Sequence, residues 1–254
     1  MVYYLQITDW KKRIDDDSFW NKGGNIVRII RFLCLVLLIL FLCLAAKVVF
    51  HVPMETVMVY YWPVAGCVVV GCVLIQVLYS VYYCRKINQL LKLMTEEKKM
   101  DLFIEKATQL AQNCKNRLLV SIIQINLAAA YAEQKQYQKA KELLQSIPQK
   151  SIRRFKGQHR AVYYANLAYV YYYLDEQGKA LHIMDENKKL FETYQKDAIN
   201  GFGAVYGVLQ AFTSFTKGNE TLAKEQMEAT QAAFPEADVE RDVAFLQRGM
   251  KVSV

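Results

Sequence analysis

The chain has 254 residues, 54% of them hydrophobic and 22% charged, and a net charge of +8. With 11 Gly, 4 Pro and 6 Cys, its composition excludes a disordered, collagenous or disulfide-stapled chain. Mean hydropathy near zero hides a gradient, because long uncharged stretches fill the first third and a polar, helix-forming sequence follows.

Residues 1–25 interleave Tyr3, Tyr4, Trp10, Phe19 and Trp20 with Lys and Asp, a mixture suited to the headgroup layer, which predicts an interfacial segment. Residues 32–46 carry no charge, and Arg28, Arg31 and Lys47 can snorkel, so a first membrane span is expected over 26–50. Residues 56–84 are also uncharged and exceed the ~20 residues that a bilayer core needs. A second span is expected there, tilted or emerging near Gln76, Ser80 and Arg85. Only residues 47–55, with Pro53, separate the two, so 26–84 reads as a tight transmembrane hairpin.

Lys11, Lys12, Arg13, Lys22, Arg28 and Arg31 precede the hairpin and Arg85, Lys86 and Lys92 follow it, against Lys47 alone in its loop. The excess of cations outside the loop predicts a multi-pass protein of the cell membrane with both termini cytoplasmic. The short loops and few prolines suit a bacterial membrane. A cleaved signal peptide fits poorly, since the flank before Phe32 is long and holds Asp15, Asp16 and Asp17. Gly66, Cys67 and Gly71 give the second span a surface that another helix can approach, within the hairpin or in a homo-oligomer.

Past Arg85, Ile87, Leu90, Leu91 and Met94 keep helical spacing, predicting an amphipathic stalk that ends at the polar residues 95–99. Asp101 is positioned to cap a leading helix that reaches about Cys114, completing a juxtamembrane region over 85–117. No alternating strand pattern appears, so the chain is expected to be all-α.

Residues 118–254 repeat themselves. Asn126-Leu127-Ala128, Tyr131 and Ala140 return forty residues later as Asn166-Leu167-Ala168, Tyr171 and Ala180. A third copy keeps Ala211 and Ala223 at the same twelve-residue interval, but has Gln210 and Ser214 in place of Leu and Tyr. Gly178 and Gly218-Asn219 mark inter-helix turns, while Pro148 and Pro235 close the second helices of the first and third copies. The pattern resembles the tetratricopeptide repeat, whose Leu-Ala pair and Tyr pack the first helix and whose small Ala admits the second. The period exceeds that family's usual ~34 residues, so extended linkers or longer second helices must absorb the surplus. The resemblance implies an α-solenoid of about three helix pairs, with Val239, Val243, Leu246 and Met250 on a C-terminal capping helix.

It also implies a concave face, lined by the first helices, that receives a peptide or helix of another protein. In this chain that face comprises Ile125, Ala129 and Ala132, then Ala165, Tyr169, Tyr172 and Tyr173, then Val208, Phe212 and Phe215. Large aromatics beside small alanines form either an apolar partner site or a core buried under the next repeat or the C-terminal helix. None of these positions carries the Lys, Arg or Asn with which family members clamp a terminal carboxylate, so a chaperone-tail adaptor is not expected.

Lys150, Arg153, Arg154, Lys156 and Arg160 form an acid-free basic stretch between the first two copies, suited to a solvated linker or to contact with anionic lipid. Residues 85–254 carry 25 Lys and Arg against 19 Asp and Glu, an excess too diffuse to indicate nucleic acid. His51, His159 and His182 are scattered, and there is no metal spacing, Gly-rich phosphate loop or Gly-x-Ser-x-Gly. Neither an enzyme nor a bound cofactor or small-molecule substrate is therefore expected. The expected function is a membrane-anchored interaction scaffold. The alternative is an accessory subunit of a transport or secretion complex, contacted mainly through its hairpin.

Overall fold

The computed structural model describes residues 53–195 and 202–252, and these are helical without strands. The interfacial segment expected over 1–25 and the first span expected over 26–50 lie outside them. The described chain divides into two compact units, the boundary falling at Arg85 and Lys86.

Helix α1, Met54–Thr95, runs 42 residues without interruption and contains the one stretch of the described residues, Tyr61–Thr95, that is long and apolar enough to cross a membrane. Trp62, Ile75 and Leu78 on it are 69%, 68% and 66% exposed, an apolar exterior of the kind that faces lipid or a partner. A Cβ added at Gly66 or Gly71 would meet nothing within 4 Å, so this side of the helix has room for a neighbour.

In the unit that starts at Lys86, the last turns of α1 place Ile87, Leu91 and Met94 in the core, as their spacing predicts. Helix α2, Met100–Asn113, follows a turn in which Lys98 takes a φ of +51°. Asp101 does not cap α2. It stands in the first turn, where it favours the positive end of the helix dipole, and its carboxylate accepts from Gln134 Nε2 at 2.6 Å.

Three helix pairs come next. Helix α3, Arg117–Glu133, is capped by Asn116, whose side chain accepts from Leu118 N at 3.0 Å, and packs on α4, Tyr137–Gln145. Helix α6, Gly157–Tyr173, packs on α7, Gln177–Glu186, and α9, Phe202–Thr216, packs on α10, Glu220–Ala233. Short helices fill the space between pairs: α5, Gln149–Ile152, after the first, and α8, Lys188–Tyr194, after the second. These insertions lengthen the sequence period without lengthening the paired helices.

The repeat seen in the sequence is matched by geometry. Asn126 and Asn166 are buried at equivalent places, and Ala140, Ala180 and Ala223 are fully buried where each second helix crosses its first. The turns agree as well, because Lys135, Asp175 and Gly218 adopt φ of +62°, +59° and +82°. Each turn is closed by the same backbone bond, from Gln136 N to Tyr131 O, Glu176 N to Tyr171 O and Asn219 N to Ser214 O. The left-handed residue of the second turn is thus Asp175, whereas Gly178, expected at that turn, lies inside α7. Lys139 and Lys179 stand over the rings of Tyr131 and Tyr171 at 5.7 and 5.5 Å, again one repeat apart.

Successive pairs are stitched by polar contacts around an apolar centre. Lys141 bridges to Glu176 at 2.7 Å, holding that carboxyl below its ordinary pKa, and Gln145 Nε2 donates to Tyr171 Oη at 2.9 Å. The last helix, α11, Glu240–Val252, follows Pro235 and packs back onto α9.

Candidate functional site

The ten residues expected to line the concave face do fall on the first helices α3, α6 and α9, but they do not form an open depression. Ile125, Ala129, Ala132 and Ala165 are fully buried, and Tyr169, Tyr172, Val208 and Phe212 nearly so, while Tyr173 and Phe215 are half-buried. Of the two arrangements open from sequence, the structure adopts the covered one. The cover over the aromatic part is α11, the chain's own C-terminal helix.

The contact between α11 and the floor is a cluster of rings around a charged pair. Phe245 lies 4.5 Å from the ring of Tyr173 and 5.1 Å from that of Phe212, centroid to centroid. Tyr173 in turn stacks on Tyr137 at 4.6 Å, and Tyr172 meets Phe212 edge-on at 5.4 Å. Asp242 is wholly buried, and its Oδ1 accepts hydrogen bonds from Tyr169 Oη at 2.6 Å and Tyr173 Oη at 2.5 Å. Arg241 extends alongside, its Nη2 donating to Tyr169 Oη at 2.9 Å and its Nη1 to Glu133 Oε2 at 3.2 Å. Tyr169 thus donates to a carboxylate and accepts from a guanidinium, and Glu133, from the first helix pair, anchors the other side of the arginine. Arg241 Nε is buried without a hydrogen-bond partner.

Around these groups Val239, Leu246 and Met250 are buried and Val243 is half-buried. Phe215 approaches so closely that a Cβ at Gly249 would meet its ring carbon at 2.8 Å. Burial raises the pKa of Tyr169 well above a free tyrosine's, and Asp242 and Tyr173 push it further. Tyr173 shifts the same way for the same two reasons, desolvation and the neighbouring carboxylate. Both hydroxyls therefore remain protonated, and able to donate, throughout the physiological range.

Arg241, Asp242, Phe245, Glu133 and Tyr137 are absent from the expected set. A signal for Asp242 was present, because it falls three residues after Val239 and four before Leu246, on the apolar stripe of the helix. An acidic residue in that position must find donors when the stripe is buried.

The basic stretch behaves differently from a simple linker. Ile152, Phe155 and His159 are buried and hold it against the domain, whereas Lys150, Arg153, Arg154 and Lys156 are exposed and Arg160 is half-buried. His182 is exposed, 3.5 Å from Glu186. No group of three His, Cys, Asp or Glu that could hold a metal ion occurs among the described residues. A shallow depression of about 250 Å³ lies beside Arg117, Ser121, Gln124 and Ser146, without acid and base groups converging on it. Comparison with protein-family models, curated proteins and solved structures finds no match to this chain.

Proposed function

We propose that the chain is a membrane-anchored interaction scaffold, with a transmembrane hairpin that holds a tetratricopeptide-like repeat domain at the cytoplasmic face. The observation that carries this reading is the seat under α11. Helices α6 and α9 present aromatic rings and hydroxyls, and α3 presents Glu133, in an arrangement shaped to hold an amphipathic helix, which is protein-recognition chemistry. The apolar exterior of α1, in the same chain, supports the anchor. Anchoring raises the local concentration of a weakly held partner, so modest affinity suffices. The exposed cations of the basic stretch suit contact with anionic headgroups once the domain is tethered.

Crosslinking of the full chain in native membranes, read by mass spectrometry, tests this. A scaffold yields crosslinks to a partner from residues 86–252. Crosslinks confined to the hairpin favour instead the accessory-subunit reading, for which the open side of α1 at Gly66 and Gly71 speaks. A reporter fused after Val254 should be active inside the cell and silent outside.

A further inference from the structure

We infer that α11 is an internal stand-in for the partner, and that the partner is an amphipathic helix of another protein carrying Arg-Asp with an aromatic residue three positions after the Asp. This rests on the reading of the domain as a scaffold and specifies what its face binds. The covering helix touches the floor through a compact set of groups. Asp242 takes two tyrosine hydroxyls, Arg241 lies between Glu133 and Tyr169, and Phe245 lies between Tyr173 and Phe212. Leu246 and Met250, four and eight positions after the Asp, supply the remaining apolar contact.

Two features mark the seat as exchangeable. First, a permanent cap needs only apolar complementarity, yet this one buries a carboxylate at its centre, held by two tyrosine hydroxyls. A charged pair read by hydroxyls at fixed positions discriminates between helices, which a greasy contact does not. Second, α11 is a single unpaired helix of 13 residues joined through residues 234–239, with Glu240, Ala244, Gln247 and Arg248 exposed on its outer side. It can leave without dismantling a helix pair, and a competing helix that presents the same pattern inherits every contact.

The test uses the full chain in detergent micelles and a fluorescent peptide with the sequence of residues 236–252. The double variant Asp242→Ala/Phe245→Ala, which weakens the internal helix, should bind the peptide at least about tenfold more tightly than the unaltered chain. A peptide bearing the same two substitutions should lose most of that affinity. Failure of the variant to bind while its circular dichroism remains helical, or equal binding of the substituted peptide, overturns the inference. Should the variant unfold, hydrogen exchange on the unaltered chain decides. Excess peptide must accelerate exchange in residues 240–252 while α6 and α9 stay protected, and unchanged exchange overturns the inference. Exchange of α11 between two copies, seen as a peptide-sensitive dimer, would make the occupant a second copy and also overturn it. The scaffold reading survives any of these failures if the native-membrane crosslinks still show a partner on another face of the domain.

Discussion

Asp242 and Tyr169 are 73 positions apart, and their 2.6 Å hydrogen bond joins the end of the chain to the middle of the repeat array. A carboxylate placed in the interior loses its hydration, so its stability there depends on the two tyrosine hydroxyls that replace water. Removing one of these donors leaves the charge under-served. Tyr169→Phe, which keeps the ring and deletes the hydroxyl, should cost about 1.5–3 kcal/mol, seen as a lower thermal midpoint by far-ultraviolet circular dichroism. Tyrosine burial also sets the alkaline limit of the fold. Desolvation raises Tyr163 and Tyr172 from 10.0 to about 12. Because the folded pKa is the higher one, their contribution is complete below pH 10 and declines as the unfolded chain ionises while the folded chain cannot. Stability should therefore fall between pH 10 and 12, by about 1.4 kcal/mol per pH unit for each tyrosine, in a titration of the denaturant midpoint.

At the scale of the element, the helices show where local preference governs and where packing overrides it. Helix α3 is rich in Ala, Leu and Ile and begins at an Asn cap, so its own sequence favours it. Helix α6 carries seven tyrosines and valines in its last eleven residues and has no such cap, and its stability comes from burial on both sides. Helix α9 contains Gly203 and Gly207 because α10 and the Phe234 that follows it press against them. A Cβ at Gly207 would collide with Thr230 Oγ1, and one at Gly203 would meet Gln195 O at 2.7 Å and the ring of Phe234. Gly207→Ala should accordingly destabilise the third pair by about 1–3 kcal/mol, measured as a reduced urea midpoint, although alanine is the better helix former. Repeat spacing made the pairs and the small crossing residues legible in the sequence. The position of the second turn was not, since Asp175 adopts a left-handed conformation that its residue type permits without announcing.

On the scale of the molecule, the chain combines a long apolar helix with an array of helix pairs whose aromatic face is covered by α11. The basic stretch belongs to this scale because its effect depends on tethering. Replacing Lys150, Arg153, Arg154, Lys156 and Arg160 with Gln should reduce cosedimentation of the domain with vesicles containing phosphatidylserine by at least about tenfold, and added salt should mimic the loss. Unchanged cosedimentation would assign the stretch to inter-repeat packing alone, through Ile152 and Phe155.

The sequence by itself determined the helical class, the apolar length of α1, the stalk residues Ile87, Leu91 and Met94, and the pairing of helices through Ala140, Ala180 and Ala223. Each of these follows from periodicity within a few turns of one helix, which amphipathic burial fixes locally. Only the tertiary structure decided that the aromatic face is covered, and that Arg241 and Asp242 are the groups that cover it. Those contacts link residues 69 to 108 positions apart, and at such separations the partner of a buried charge is selected by the stacking of helix pairs, which no local pattern encodes.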